Sequence, residues 1–232
     1  MGLFASIIKS FSPQKRKRKR KRSRKNAVRA GDGIQPVDAG NVKILVADLF
    51  GAGGADVADR VAGMLTQENA LTTMRLKRPL HQNPRLGAVE RLLVAGTEGA
   101  VVLAEEECQV LIWGEMEDMG TVARLRFISN NGADGQAVVF GIGDTLDLPL
   151  PMPDGAGDVV RAVAAAIALP IAGGARRELL DRLRKHLTAA DKALEALPAD
   201  VHTENRIAIT SAIGIAHATA FRFGAKKNLP AA

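Results

Sequence analysis

The sequence predicts a mixed α/β fold in the order βαβαβββα, closed by a C-terminal antiparallel helical hairpin and preceded by a disordered basic tail. Three observations carry that prediction. Residues 41–50, NVKILVADLF, form an apolar run stopped by the turn GAGG, as a buried strand does. Helical and strand periods then alternate as far as residue 107, the texture of a sheet with helical crossovers. Between 110 and 150 three strand-like segments follow one another with only short turns between them, which reads as an antiparallel meander.

Each element has its own signal. Residues 56–68 carry a helical period through Val57, Val61, Met64 and Leu65, and 71–80, LTTMRLKRPL, alternate as a half-buried strand. Pro84 suits a first helical turn, and the helix it opens continues to about residue 107 through Leu86, Val89, Leu92, Leu93 and Val102. A strand follows over about 110–116, then a turn at 119–120. Its partner at 121–130 sets Val122, Arg124, Arg126 and Ile128 on one side and Ala123, Leu125 and Phe127 on the other. The segment 137–150 gives the last strand, bent at Gly141 or Gly143. Residues 157–169 form a helix stopped by Pro170. The closing pair spans 176–224, with Leu179, Leu183, Leu187, Ala190, Leu194 and Leu197 striping its first helix.

Charge divides the chain. Residues 1–30 hold 12 of the 32 cations and no acid, leaving 20 cations against all 25 acids, a net charge of −5 for the remainder. The basic balance therefore belongs to the tail, which argues against a broad nucleic-acid face on the globular part. With one cysteine, Cys108, no internal disulfide forms and a thiolate metal cage is excluded. No stretch reaches 18 uninterrupted apolar residues, so no spanning helix is expected. The oily segment precedes the cations, the reverse of a secretory signal, and the chain reads as unsecreted by that route.

The first 12 residues form an amphipathic segment in which Leu3, Phe4, Ile7, Ile8 and Phe11 share one helical stripe. Residues 13–40 are a polybasic disordered linker. Its run is Lys15, Arg16, Lys17, Arg18, Lys19, Arg20, Lys21, Arg22, Ser23, Arg24 and Lys25, with Ser23 alone uncharged. Cations attract an anionic leaflet, the stripe adds an apolar anchor, and two such signals together hold a protein where one does not. Nucleic acid would accept the cations without sequence preference, and a plain solubilising tail would have the same charge. The five apolar side chains decide for the membrane, since phosphate binding has no use for them. The expected location is cytoplasmic, peripheral on the inner face of the plasma membrane. MGLFAS also matches the N-myristoylation pattern through Gly2 and Ser6, usable only where a eukaryotic acyltransferase is present.

No pattern of catalytic chemistry stands out. FGAGGAD follows a strand and opens a helix, but Asp56 occupies the third glycine position of a dinucleotide fingerprint, where a carboxylate repels pyrophosphate. A plain strand-to-helix turn is the better reading. Glu105, Glu106, Glu107, Glu115, Glu117 and Asp118 lack calcium-loop spacing and read as a solvated face. His81, His186, His202 and His217 are scattered, without zinc spacing. Cys108 reads as buried and inert, and Trp113 as a core anchor. No catalytic residue, cofactor or metal is expected.

Residues 107–128, ECQVLIWGEMEDMGTVARLRFI, resemble the α/β domain at the front of TolB and related CsgG-like proteins. In those a helix leads into a strand of the form A-D-x-x-I-x-G-x-V with a hairpin partner; here residues 108–115, with Trp113-Gly114-Glu115 at the strand end, and residues 122–128 take these places. The likeness covers 41–170. The pair at 176–224 resembles one tetratricopeptide-like unit through Ile213-Gly214 and His217. This resemblance implies a bacterial, non-enzymatic scaffold or adaptor and transfers no catalytic residues. Because Ile207, Ile209, Ile213 and Ile215 cannot all face one way, Ile207, Ile209, Ile213 and Phe221 are expected to meet a protein partner or a second copy.

Overall fold

The computed structural model describes residues 42–67, 71–80, 85–129, 140–141, 143–199 and 201–225. The tail, every membrane-binding residue expected within 3–25, and His81 lie outside them. Strand β1 (Val42–Ala47) pairs in parallel with β2 (Leu71–Leu76) on one side and β3 (Val110–Glu117) on the other. From β3 the sheet continues antiparallel through β4 (Val122–Ser129) and β5 (Leu146–Pro149), in the order β2-β1-β3-β4-β5. The mixed α/β class holds.

Topology decides which helix covers which face. Helix α1 (Gly54–Thr66) links β1 to β2, and α2 (Ala88–Glu105) links β2 to β3. The two connections cross the sheet in opposite directions. Parallel crossovers are right-handed, so opposite directions send the helices to opposite faces. Accordingly Val57, Val61 and Leu65 of α1 pack with Val42, Ile44, Val46 and Ile112. Ala95, Val102 and Leu103 of α2 pack with Leu45, Ala47, Leu111 and Trp113 on the other side.

The α1 face also receives α3 (Ala156–Ala168), α4 (Arg176–Glu195) and α5 (Thr203–Ala225). Helix α3 is alanine-rich and ten of its residues are buried, so its neighbours approach closely. Leu179, Leu183 and Leu187 of α4, with Ile209, Ile213 and Phe223 of α5, join that same core. Helices α4 and α5 meet in opposite order. Arg176 lies over the Phe223 ring, His217 Nε2 is 3.0 Å from Asp191, and Arg206 donates to the Leu197 and Pro198 carbonyls. All of these elements belong to one compact unit.

Element ends differ from expectation for local reasons. The strand expected over 71–80 stops at Leu76, because the Arg78 amide turns back to the Leu76 carbonyl at 2.8 Å and Pro79 has no N–H to offer a neighbour. Helix α2 begins at Ala88, where the Glu90 carboxylate accepts the Gly87 amide. Of the strand expected over 137–150, the described part is Leu146–Pro149. Before it, the Gly141 amide donates to Asp144 at 2.7 Å and forms a turn.

Candidate docking face on the thin side of the sheet

The glycine-rich turn at 51–54 serves the backbone. Gly51 and Gly53 have φ of 108° and 79°, and a Cβ on Gly54 would strike the Leu49 carbonyl. Phe50 then pairs with the end of β3, its amide donating to Gly114 at 2.9 Å and its carbonyl accepting from Met116 at 2.8 Å. In open α/β sheets ligands favour the crevice beside the strand ends where crossovers diverge. Here Phe50 forms an isolated parallel bridge with Glu115 at that edge.

The face that α2 alone covers among the described elements is different. A Cβ on Gly99 would collide with Ile128 and Leu111, so the glycine lets the helix sit close on β3 and β4. Its inward residues fill the small core, but its outward side is apolar too. Val89, Leu93, Val101 and Val94 are 70%, 60%, 53% and 40% exposed. A helix apolar on both sides is expected to be covered on both. Among the described residues only one side of α2 is covered.

Beyond α2 the same face carries a charged ladder. Arg124 stands opposite Glu115 on β3 and Asp147 on β5. Its Nε and Nη2 donate to Asp147 at 3.1 and 2.8 Å, and its Nη1 donates to Glu117 at 2.8 Å. The hydrogen bond to Asp147 outweighs burial and holds the guanidinium well above its ordinary proton affinity. Arg126 stands opposite Trp113, its guanidinium 6.0 Å from the ring centroid, and its Nη2 reaches Glu115 at 3.4 Å. Glu115 and Glu117, expected to be a solvated acidic face, are thus half-buried ion-pair members.

Where the ladder meets α2 there is a cavity of about 60 Å³, lined by Ala88, Arg91, Leu92, Trp113, Glu115 and Arg126. Among the described residues, Arg91 Nε, Trp113 Nε1 and Arg126 Nε are buried without a hydrogen-bond partner. Trp113 is a buried anchor, as its sequence context suggests, but no described residue accepts from its indole N–H. Strand alternation already placed Arg126 on this side. Its burial required the position of α2, which no local pattern gives.

The residues expected to bind a partner do not share one exposed surface. Ile209 and Ile213 are buried in the main core, whereas Ile207 and Phe221 stand exposed at opposite ends of α5. Small residues Ser211, Gly214 and Ala218 occupy exposed positions between them. Segment Thr203–Gly224 is long enough to cross a membrane and contains an 18-residue window of mean hydropathy 1.2, so it passes by length and composition. Ile209, Ala212, Ile213, Ala216 and Ala220 nevertheless pack into the sheet's core.

Other polar groups hold helices together. Burial raises the affinity of the Asp158 carboxyl for its proton. Hydrogen bonds from Arg161 at 2.9 Å and His186 at 3.2 Å overcome that, leaving it below the ordinary aspartate range. Arg161 also donates to the Met64 carbonyl at 3.2 Å, joining α3 to α1. Burial pushes the Cys108 thiol up, which disfavours the thiolate. Among the described residues no group of three His, Cys, Asp or Glu side chains is placed to hold a metal ion. Comparisons with protein-family models, curated proteins and solved structures return no match.

Proposed function

We propose that this protein is a non-enzymatic, peripheral membrane-associated adaptor. In this reading a TolB N-terminal-like α/β module binds another protein, and the basic tail with its apolar stripe holds the module at an anionic membrane, on the inner face of the plasma membrane. The observation that carries the proposal is the outward face of α2, with four large apolar side chains 40–70% exposed on a helix whose other side is already packed. Exposed apolar strips on folded domains mark interaction surfaces. The neighbouring acids support a binding role over acid–base chemistry, because Glu115, Glu117 and Asp147 are each committed to an arginine. The partner-binding role expected of Ile207 and Phe221 is secondary to α2, since the two stand at opposite ends of α5.

Crosslinking and capture with the full chain test this reading. Val89→Asp combined with Leu93→Asp should remove the specific partner while leaving circular dichroism and Tm unchanged, as both side chains point outward. An unaltered set of captured proteins overturns the α2 interface. For the tail, Phe4→Asp with Ile8→Asp should release the protein from membrane pellets in high salt. Retention of those variants together with release by nuclease instead supports the other reading, a nucleic-acid-associated protein tethered by its basic run.

A further inference from the structure

We infer that the cavity between the first turns of α2 and strands β3 and β4 is a receptor for one carboxylate, supplied by an acidic residue of the protein segment that docks on α2. The inference rests on the docking reading and specifies the chemistry of the partner.

The unmet groups set the requirement. Among the described residues five buried polar side-chain atoms have no partner, and three of them, Arg91 Nε, Trp113 Nε1 and Arg126 Nε, belong to residues lining this one cavity. Trp113 is 2% exposed and Arg126 9%, so neither side chain has ready access to bulk solvent. All three atoms donate and none accepts, hence their missing partner is an acceptor. The described lining holds two guanidinium groups, of Arg91 and Arg126, and one carboxylate, Glu115, which already accepts from Arg126 Nη2 at 3.4 Å. The lining is therefore net positive and prefers an anionic acceptor to a neutral carbonyl.

Size and charge narrow the choice. A cavity of about 60 Å³ admits a group of a few heavy atoms and excludes a nucleotide or a sugar. Glu115 in the wall opposes a phosphate dianion more than a singly charged carboxylate. Arginine forks match planar carboxylates, and the indole N–H adds a third donor. Val89 and Leu93 stand exposed on the same first turns of α2 that contribute Ala88, Arg91 and Leu92 to the lining. The fitting ligand is thus an acidic residue flanked by apolar ones.

Trp113 is the only tryptophan, so its indole N–H gives a single NMR resonance that reports on the cavity. The full chain is titrated with acetate, with inorganic phosphate, and with sodium chloride at matched ionic strength. Three peptides follow: acetyl-Leu-Glu-Leu-amide, acetyl-Leu-Gln-Leu-amide, and acetyl-Leu-Leu with a free C-terminus. Acetate should move the indole resonance where chloride does not. The Glu peptide should bind at least tenfold more tightly than its Gln counterpart, and tighter binding of the third peptide than of the Glu peptide would overturn the assignment to a side chain. Arg126→Gln should abolish the shift; Arg91→Gln, at a half-buried helix position, should weaken it at least tenfold with Tm unchanged and covers the case in which the first variant unfolds. Equal binding of the Glu and Gln peptides, an acetate response equal to that of chloride, or phosphate bound more tightly than acetate overturns the inference. If the Val89→Asp, Leu93→Asp variant loses its partner while these titrations are flat, the docking face stands and the carboxylate receptor falls.

Discussion

The two faces of the sheet are built to different standards of closure. One carries α1, α3, α4 and α5, and its side chains from β1, β3, β4 and β5 are buried among leucines and small alanines. The other carries, among the described elements, α2 alone over Leu45, Leu111 and Trp113, and then a ladder of arginines and carboxylates. Apolar residues are plentiful on both, but on the first face most meet another part of the chain, with Ile207 and Phe221 of α5 the exceptions. On the second, Val89, Leu93 and Val101 stand more than half exposed among the described residues. The thick face accounts for folding. Among the described residues the thin face has surplus apolar surface and unmet donors side by side, which folding alone does not require.

That contrast is tested most severely by truncating one leucine on each side. Leu183 of α4 is fully buried, so Leu183→Ala should cost about 2–5 kcal/mol by urea denaturation, from lost transfer energy and the cavity left behind. Leu93→Ala, on the outward side of α2, should stay within about 0.5 kcal/mol. A large cost at Leu93 would show that the outer face of α2 is covered in the free protein, and a dependence of that cost on protein concentration would identify the cover as a second copy.

Smaller effects are expected where the thin face is held in place. Asp147→Asn removes the charge that Arg124 grips with two nitrogens; charged hydrogen bonds of this sort contribute about 1.5–3 kcal/mol, and the partly exposed guanidinium places the loss toward the lower end. Gly99→Val drives a side chain into Ile128 and Leu111 and should cost about 1–3 kcal/mol by lifting α2 off the sheet. If α2 is lifted, the cavity at Trp113 opens, and tryptophan fluorescence should shift to longer wavelength. An unshifted spectrum in a destabilised Gly99→Val protein would mean that the cavity does not depend on the seat of α2.

Much of this architecture is legible in the sequence. The apolar run at 42–47, the helical period at 57–65 and the alternation of 122–128 each reflect a local period that burial preserves. The four isoleucines of α5 cannot share one side by their spacing alone. The structure resolves that conflict by turning Ile209 and Ile213 inward and Ile207 outward, while Ile215 is half-buried. The docking face is not legible. Val89 and Leu93 appear in the sequence as ordinary members of an apolar helix, and only the topology, with α2 the one described helix on its side, leaves them uncovered among the described residues. The unmet donors are hidden for a related reason. An arginine on an alternating strand reads as solvated until a helix from a distant segment is laid over it.

The smallest effect should come from pH, on the thick face, where Asp158 accepts from Arg161 within α3 and from His186 of α4. Burial alone would raise this carboxyl, yet the two hydrogen bonds leave it lower than in the unfolded chain, where an aspartate titrates near about 3.9. A group depressed on folding stabilises the protein fully above its unfolded value, and that stabilisation is lost as pH falls through the folded one. Urea midpoints measured from about pH 5 down to about pH 2.5 should therefore fall more steeply for the natural protein than for Asp158→Asn. Near neutral pH the variant should be modestly less stable, since a carboxamide in place of the carboxylate keeps hydrogen-bonding capacity without the charge. No change in the acid limb is expected from Val89→Asp with Leu93→Asp beyond that of two solvated carboxylates. If Asp158→Asn leaves the acid limb unchanged, the seam between α3 and α4 is held by alanine and leucine packing alone, and the difference between the two faces is one of apolar closure rather than of polar ties.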